Sequence, residues 1–341
     1  MENNIIIKDT RTKFKSTTFS NYKKAQVIKK LNHAIYYQKI EEAFFWTCEL
    51  MCTNLYLDLW NIYCIFACKY IHIDNPKLPI YINKKFNDFK QIAANTSNDY
   101  ELRNNKEVRL LFCSLSLILS LSNKYTILDD LNYKFNFQIE NIYENLKAPH
   151  LKYIDPIFKQ HDPKEFIIPF NELLYHLQDT KNKIDINYWI NWIIHYDALC
   201  NSKKKHLLCV QRDIFISKNE KQSKNVIWIL WDIILKLFNK KPEKIKQIAN
   251  NIFELFCVKY VVSFNKKRKY MIYNCIELYL RNNIDLNIPI IKNTNTFAHL
   301  EHNIHIIFEQ LKKNEVYEIS KEPLSKTDEK MKIYENIYNN L

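Results

Sequence analysis

Four cysteines have a spacing that zinc chemistry uses. Cys48 and Cys52 are four residues apart, as are Cys64 and Cys68, and both pairs fall on neighbouring helical stretches. Four thiolates can hold one structural Zn²⁺, but such sites use a chain that turns around the metal rather than two straight helices. The residues around these thiols are large and apolar, which is typical of cysteines that pack as small core residues. We therefore expect core packing here and no bound metal.

Three histidines follow one another along a single predicted helix. His299, His302 and His305 are spaced three residues apart, and Glu301 stands beside them. A catalytic zinc of the H-E-x-x-H type needs two histidines one turn apart with the acid between them, and Glu301 instead precedes His302. A solvated helix face is therefore the favoured interpretation.

The remaining candidates for catalysis are weaker. Cys200 and Cys209 flank a lysine-rich stretch containing His206, but their spacing matches no zinc or redox motif, and a basic connecting loop is the simpler interpretation. Paired carboxylates or a Ser/His/Asp set cannot be placed by spacing. We expect a non-enzymatic protein without cofactors, and a metal-dependent enzyme is kept as the third alternative.

Two clusters of cations have the composition of phosphate-binding sites. The first cluster is residues 203–205, and the second, residues 266–269, lies in the first turn of a predicted helix. Positive side chains there oppose the helix dipole, and a bound polyanion would offset that repulsion. The alternative is a solvated run of charge. The predicted nucleic-acid-binding residues are Lys203, Lys204, Lys205, Lys266, Lys267, Arg268 and Lys269.

The 341 residues contain no glycine, and this excludes whole classes of function. Nucleotide-binding loops of the Walker, Rossmann and kinase types all need it, as do nucleophile elbows, because glycine alone takes positive φ freely. Hairpin-rich β folds become improbable for the same reason. Helices need glycine only at their C-terminal caps, where Asn can replace it. We expect that role for Asn123, Asn239, Asn282 and Asn283.

The net charge, the cysteines and the lengths of the apolar runs indicate the cellular compartment in which the protein is expected. The formal net charge is +13, and heavy use of Lys, Asn, Ile and Tyr indicates an A/T-rich genome. The nine cysteines are an odd set lying mostly in apolar stretches, which favours reduced thiols over disulfides. The N-terminus lacks the features of a signal peptide, and the longest apolar runs, 110–121 and 226–238, are shorter than a membrane helix. We expect an intracellular, soluble protein that makes no membrane contact.

Apolar residues recur at helical spacing along most of the chain, which predicts an all-α protein with little or no β-sheet. Two Trp-x-x-Trp pairs, Trp189/Trp192 and Trp228/Trp231, each lie on one helix face, and core packing is favoured over a surface that binds partners or bases. The architecture is expected to be an irregular bundle or a solenoid-like array of helix pairs. Helices are predicted at residues 22–38, 40–52, 55–73, 80–94, 108–122, 164–177, 186–200, 223–238, 243–262, 266–281, 296–312 and 327–338.

Four prolines lie close together around residues 149–169, and we place a boundary there. The Asp162-Pro163 pair is typical of an N-cap followed by the first helical residue. The predicted divisions are a flexible basic arm (1–19), an N-terminal helical subdomain (20–147), a proline-rich connection (148–163), a C-terminal helical subdomain (164–315) and a charged C-terminal segment (316–341).

Several stretches between residues 22 and 282 carry a resemblance to known sequences: 40–60 (IEEAFFWTCELMCTNLYLDLW), 75–79 (NPKLP), 102–109 (LRNNKEVR), 147–149 (KAP), 188–192 (YWINW), 227–231 (IWILW), 255–260 (LFCVKY) and 266–268 (KKR). Together they resemble a conserved, functionally uncharacterised family of nucleocytoplasmic large DNA viruses, including the algal-virus and mimivirus lineages. The resemblance implies viral protein partners and a place in the host cytoplasm, in the viral factory. It supplies no active-site residues.

Two functions therefore compete. The first is a non-enzymatic helical scaffold or accessory protein of a large DNA virus, acting in DNA replication, transcription or genome handling through contacts with proteins and with DNA or RNA phosphates. The second is a virion component, such as an internal or minor capsid protein. Nothing in the sequence indicates an oligomeric state.

Overall fold

The chain folds as an all-α protein, as its sequence predicts. The computed structural model describes residues 5–11, 13–125, 133, 135–137, 142–291, 297 and 299–316. Within these residues there is no β-strand, and extended backbone pairs only at two isolated bridges, Thr17 with Lys23 and Leu208 with Asn225. No helix in this part of the chain is both long and apolar enough to cross a lipid bilayer.

The helices are numbered along the chain. Two π-helical turns, Ala67–Ile71 and His176–Thr180, extend α3 and α7. The helices are α1 (Lys24–Tyr36), α2 (Ile40–Cys52), α3 (Tyr56–Phe66), α4 (Leu78–Ala94), α5 (Asp99–Asn104), α6 (Lys106–Leu121), α7 (Ile167–Tyr175), α8 (Lys183–Ser202), α9 (Glu220–Ser223), α10 (Ile227–Phe238), α11 (Glu243–Cys257), α12 (Asn265–Leu280) and α13 (Leu300–Lys312).

Most predicted helices are confirmed to within a few residues, and α2 has the predicted bounds. The single helix predicted for residues 55–73 is interrupted, because α3 passes into a π-turn and His72 then has a positive φ of 32°. The short helices α5 and α9 were not predicted. The helix predicted at 327–338 lies outside the described residues, as does most of 125–146 and all of the charged segment after Val316.

Asparagine is the N-cap residue of four of the described helices. The Oδ1 atom of each N-cap asparagine accepts a backbone N–H two or three residues further on, at 2.9 to 3.0 Å. Such caps satisfy donors that have no partner inside the helix. The asparagines at these positions in α5, α6, α8 and α9 are Asn98, Asn105, Asn182 and Asn219.

The expected use of Asn123, Asn239, Asn282 and Asn283 as left-handed helix ends was wrong. Asn239, which follows α10, has a right-handed φ of −59°. In the described residues positive φ falls mainly on long side chains instead, at Asn21, Gln38, Asn54, His72, Lys181, Lys204 and Lys259. A glycine-free chain therefore places ordinary residues in a backbone region that glycine would occupy with less strain.

The two predicted helical halves share one hydrophobic core. The largest cluster of buried apolar side chains runs from Val27 to Leu278 and includes Ile154 and Ile157 of the proline-rich connection. α11 packs along α4, and α12 packs against α3. α13, although it was assigned to the second half, packs against α2 and α6 of the first. The predicted boundary divides the chain but not the core.

The N-terminal segment, residues 5–11 and 13–20, is docked on the helices and is not the flexible arm that its composition predicted. Ile7, Asp9 and Phe19 have no exposed surface. The guanidinium of Arg103 donates from Nη1 to the Asp9 carbonyl at 2.7 Å and from Nη2 to the Arg11 carbonyl at 2.5 Å. Buried donors thus satisfy backbone acceptors that a free arm would leave to water.

The proline-rich connection is also held by buried side chains. The carboxylate of Glu172 accepts the backbone N–H groups of Lys147 and Ala148, each at 3.0 Å. Asn171 donates from Nδ2 to the His150 carbonyl at 2.9 Å. Two adjacent residues of α7 therefore fix the first part of this connection.

Asp162 does not cap the helix after Pro163, and that prediction was wrong. Its carboxylate is buried and pairs with Arg212, with Oδ2 at 2.6 Å from Nη2. Oδ1 also accepts the backbone N–H of Val210 at 2.8 Å. Asp162 therefore ties the connection to the loop that follows α8.

Candidate nucleic-acid interface

Lys266 and Lys267 are exposed on the first turn of α12. The N-terminal end of a helix carries positive partial charge, so cations there are disfavoured. Among the described residues neither lysine forms an ion pair with a carboxylate, and the sequence has no Asp or Glu between residues 255 and 276. Within the described part of the chain, therefore, no carboxylate compensates the positive charge of these two lysines.

The structure separates Arg268 from the lysines around it. Arg268 is 2% exposed and donates to the carbonyls of Phe256 and Val258 and to Oδ1 of Asn61. Its guanidinium also lies 4.6 Å from the centroid of the Phe264 ring. These partners use its donors inside the protein, so Arg268 positions the start of α12 and does not face a phosphate.

Lys269 joins α12 to α8. Its Nζ donates to Oδ1 of Asn191 at 3.2 Å, while at the other end of the two helices Lys183 Nζ lies 2.7 Å from Glu277 Oε2. These two contacts show that α8 and α12 run antiparallel. The C-terminal part of α8 therefore extends past the start of α12, towards the first cluster of lysines.

His195 lies between the two predicted clusters. Burial lowers its pKa, and the neighbouring charges of Lys266 and Lys269 lower the pKa further. Its ring is 5.3 Å from that of Phe135, edge to face. Lys203 follows eight residues later, about 12 Å along the helix axis. The two clusters therefore occupy neighbouring parts of one surface.

The first cluster, Lys203 to Lys205, also closes α8. Lysines near a helix C-terminus are favourable, because that end carries negative partial charge. Lys205 pairs with Glu165 at 3.0 Å, and this hydrogen bond raises the pKa of Lys205. Lys203 and Lys204 are exposed and, in the described part of the chain, have no carboxylate partner. Only these two lysines of the cluster are available to an external anion.

Contacts between rings and cations connect α12 with α1. Lys69 Nζ lies 4.3 Å from the ring centroid of Tyr270 and 5.1 Å from that of Tyr70. The Tyr70 and Tyr36 rings are 5.1 Å apart, and Tyr36 is 5.1 Å from Tyr37. Cation–π and edge-to-face contacts of this kind hold the rings at the surface in defined orientations.

We call this surface the tyrosine–lysine strip. It begins at the C-terminal end of α1, crosses the π-turn after α3 and ends at the start of α12 beside α8. On α1, the exposed Lys29 lies one turn before His33 on the same helix face and adds positive charge to this end of the strip. The strip comprises His33, Tyr36, Tyr37, Lys69, Tyr70, Tyr125, His195, Lys266, Lys267, Lys269 and Tyr270.

Sequence reasoning missed the part of the strip outside α12. A partial signal is the dipeptide Lys-Tyr, which occurs at 69–70, 124–125, 152–153, 259–260 and 269–270, and the first, second and last of these contribute to the strip. Tyr125 donates its backbone N–H to the Tyr70 carbonyl at 2.7 Å, and Lys69 contacts Tyr270, so the three dipeptides meet in space. Nothing in their spacing along the chain predicts that meeting.

The two cysteine pairs do not converge. Cys48 and Cys52 pack in the cluster formed with the N-terminal segment and α13, whereas Cys64 and Cys68 pack in the main core. The Cys48 thiol contacts that of Cys113, with 3.6 Å between the sulfur atoms. Burial raises the pKa of Cys64 and of Cys68 to about 12, which disfavours the thiolate that binds metals.

The other candidate metal ligands are also apart. In the described residues there is no group of three or more His, Cys, Asp or Glu side chains placed to hold a metal ion. His305 contacts Glu309 on its own helix at 3.4 Å. His206 bonds to Asn201 and Lys221, while Cys209 is buried and bonds to the Asn225 carbonyl.

Both tryptophan pairs are inside the core, as the core interpretation predicted. Trp189 and Trp192 are at most 2% exposed, and Trp228 and Trp231 are fully buried. They leave no indole surface for a partner or a base. Among the described residues, the aromatic side chains that are exposed near the lysines are tyrosines.

Fold and surface together define an all-α protein with a basic, tyrosine-rich strip. Comparison with protein-family models, curated proteins and solved structures finds no match for this chain.

Proposed function

We propose that the chain is a non-enzymatic helical accessory protein that binds nucleic acid through phosphate contacts, in the DNA replication, transcription or genome handling of a large DNA virus. The viral setting rests on the sequence resemblance. The phosphate contacts are assigned to Lys266, Lys267, Lys203 and Lys204.

One observation carries the proposal. Lys266 and Lys267 are exposed at the positive end of α12 without a carboxylate partner among the described residues. Phosphate groups bind well at such helix ends, where N–H donors and lysine charges act together. If the lysines were only solvated, the repulsion between their charges and the positive end of α12 would not be offset.

The kind of cation indicates what sort of binding to expect. Four of the six arginines, at 103, 109, 212 and 268, are at most 3% exposed, so lysines carry most of the surface charge. Arginine recognises phosphates and bases through a planar, bidentate fork, whereas lysine acts as a point charge. Contacts through lysine favour backbone binding that is independent of base sequence.

The test is the affinity for a fluorescently labelled oligonucleotide, measured by anisotropy over a range of salt. The variant Lys266→Ala/Lys267→Ala is expected to weaken binding by roughly tenfold at about 50 mM salt. Each lost phosphate contact should lower the slope of log affinity against log salt by about 0.7 on a single strand, so the double variant should lower it by about 1.4.

The matched control is Lys240→Ala/Lys244→Ala, which removes the same charge from exposed positions. The neighbouring Lys241 contacts Tyr279, at the far end of α12 and about 20 Å along its axis from Lys266. The control should keep the wild-type salt slope. Equal losses in the two variants would mean that net charge alone attracts the nucleic acid, and the assignment to α12 would then be wrong.

A further inference from the structure

The tyrosine–lysine strip exposes aromatic rings in one place. Tyr36, Tyr37 and Tyr125 are 39%, 61% and 54% exposed. Tyr70 lies among them, because its ring contacts Tyr36 and its carbonyl accepts the N–H of Tyr125. Large rings exposed together in a folded protein indicate an interaction surface, whereas singly scattered ones do not.

Lysines alternate with these rings. The His33 ring lies 4.5 Å from that of Tyr37 at one end and is tilted to it by 47°, Lys69 lies between Tyr70 and Tyr270, and Lys269 lies 5.3 Å from Tyr270 at the other end. The spacing between neighbours is therefore close to the size of a single ring. A ligand lying along the strip meets flat apolar faces and positive charges in turn.

This pattern distinguishes between forms of nucleic acid. In a duplex the base faces are stacked on one another and hidden, so exposed tyrosines gain little from it. In a single strand the bases are free to stack on aromatic side chains while the phosphates follow a basic groove. An acidic peptide would use the lysines but has no flat rings to match the tyrosines.

We infer that the strip binds single-stranded nucleic acid, with bases stacked on Tyr37 and Tyr125, its two most exposed rings, and the backbone following Lys69, Lys266 and Lys267. This inference rests on the proposed function and adds a ligand class to it. Stacking on tyrosine is tolerant of base identity, so the binding depends little on sequence.

The first measurement needs no variant. The unaltered protein is titrated with three ligands of equal length: a single strand, an abasic single strand with the same phosphates, and a duplex. We expect the normal single strand to bind on the order of a hundredfold more tightly than the abasic strand, since two bases stack and each contributes on the order of tenfold. The duplex should bind more weakly than the normal single strand as well.

The second measurement uses Tyr37→Leu/Tyr125→Leu. Leucine keeps apolar bulk but removes the flat ring, so affinity for the normal strand should fall towards that of the abasic strand. Tyr125→Phe keeps the ring and should bind as the wild type does. The control Tyr279→Leu alters a tyrosine that also contacts a lysine, Lys241, but lies at the opposite end of α12.

The possible outcomes distinguish a failure of base stacking from a failure of the proposed phosphate binding. Equal affinity for normal and abasic strands, with the Lys266/Lys267 effect intact, would overturn stacking and leave phosphate binding standing. Stronger binding to the duplex would overturn the single-strand assignment. Equal affinity for poly-glutamate, or no lysine-dependent binding to any strand, would overturn both proposals.

Discussion

Two basic stretches, the N-terminal segment and the first turn of α12, have similar compositions but differ in how they pack on the rest of the protein. The N-terminal segment contains Arg11, Lys13 and Lys15 and was expected to be free in solution. It docks instead, and Ile7 and Phe19 within it are fully buried. The start of α12 leaves Lys266 and Lys267 exposed. Local composition therefore does not decide whether a basic stretch is docked along its backbone or lies exposed on a helix.

The difference comes from what lies beneath each stretch. Under the N-terminal segment, Arg103 and Arg109 point donors at backbone carbonyls, and Arg109 Nη1 lies 2.8 Å from the Ile5 oxygen. Asn104 completes this contact, because its side chain accepts the Ile7 N–H and donates to the Ile7 carbonyl. Backbone acceptors and buried arginine donors together hold this segment.

At α12 a single arginine takes the inner position. Arg268 bonds to the Phe256 and Val258 carbonyls, and the lysines on either side stay outside. A guanidinium offers five donors and can serve several carbonyls at once, whereas an ammonium holds its water more strongly. At both places arginine therefore bonds to buried carbonyls, and the neighbouring lysines stay at the surface.

The largest effect is expected from Arg103→Ala. It removes the donors to the Asp9 and Arg11 carbonyls and the packing of a fully buried side chain, so the free energy of unfolding should fall by roughly 3 kcal/mol. Urea unfolding measures that loss, and limited proteolysis should cut the N-terminal segment sooner.

The control in the same stretch is Lys13→Ala, an exposed position whose change should stay within about 0.5 kcal/mol. If Arg103→Ala lowers the free energy of unfolding no more than Lys13→Ala does, Arg103 does not hold the N-terminal segment. The contrast drawn between this segment and the start of α12 would then be wrong.

A smaller effect should depend on pH, through Asp9. Burial raises the pKa of this carboxyl, but hydrogen bonds from the Arg11 side chain and from the Val316 and Arg11 N–H groups outweigh it, so the pKa is lowered. A lowered folded-state pKa means that the charged form adds stability above the unfolded value of about 3.9, and that this stability is lost as pH falls through the folded value.

Asp9→Asn should therefore lower the free energy of unfolding by about 1 to 2 kcal/mol at pH 7. The gap between the variant and the wild type should narrow as pH falls below about 4. Urea midpoints from pH 7 down to pH 3 measure this. A constant gap over that range would show that the Asp9 charge does not hold the N-terminal segment.

Sequence alone gave the all-α class and most helix positions, because apolar periodicity is a local property of residues such as those of α2 and α10. The burial of Arg268 within a run of lysines was not predictable, since it depends on the carbonyls of Phe256 and Val258 turning towards it at the end of α11. The strip was missed for the same reason, because Tyr36, Tyr70 and Tyr270 meet only through tertiary packing.

The smallest effect is expected at Lys204. Two substitutions there distinguish the effect of backbone strain on stability from the effect of the side-chain charge on binding. Lys204 has a left-handed φ of 60°, which disfavours any residue with a Cβ. Lys204→Gly removes that strain, offset in part by the greater freedom of glycine when unfolded, so it should raise the free energy of unfolding by about 0.5 kcal/mol. Lys204→Ala keeps the strain and should not stabilise the protein.

Both substitutions remove the same charge, so both should weaken nucleic-acid binding equally and lower the salt slope by about 0.7. If the glycine variant is more stable and the two bind alike, the stability and the binding contributions of this position are independent. If only the alanine variant weakens binding, the loss follows from backbone geometry at the end of α8, and Lys204 does not belong with Lys266 and Lys267.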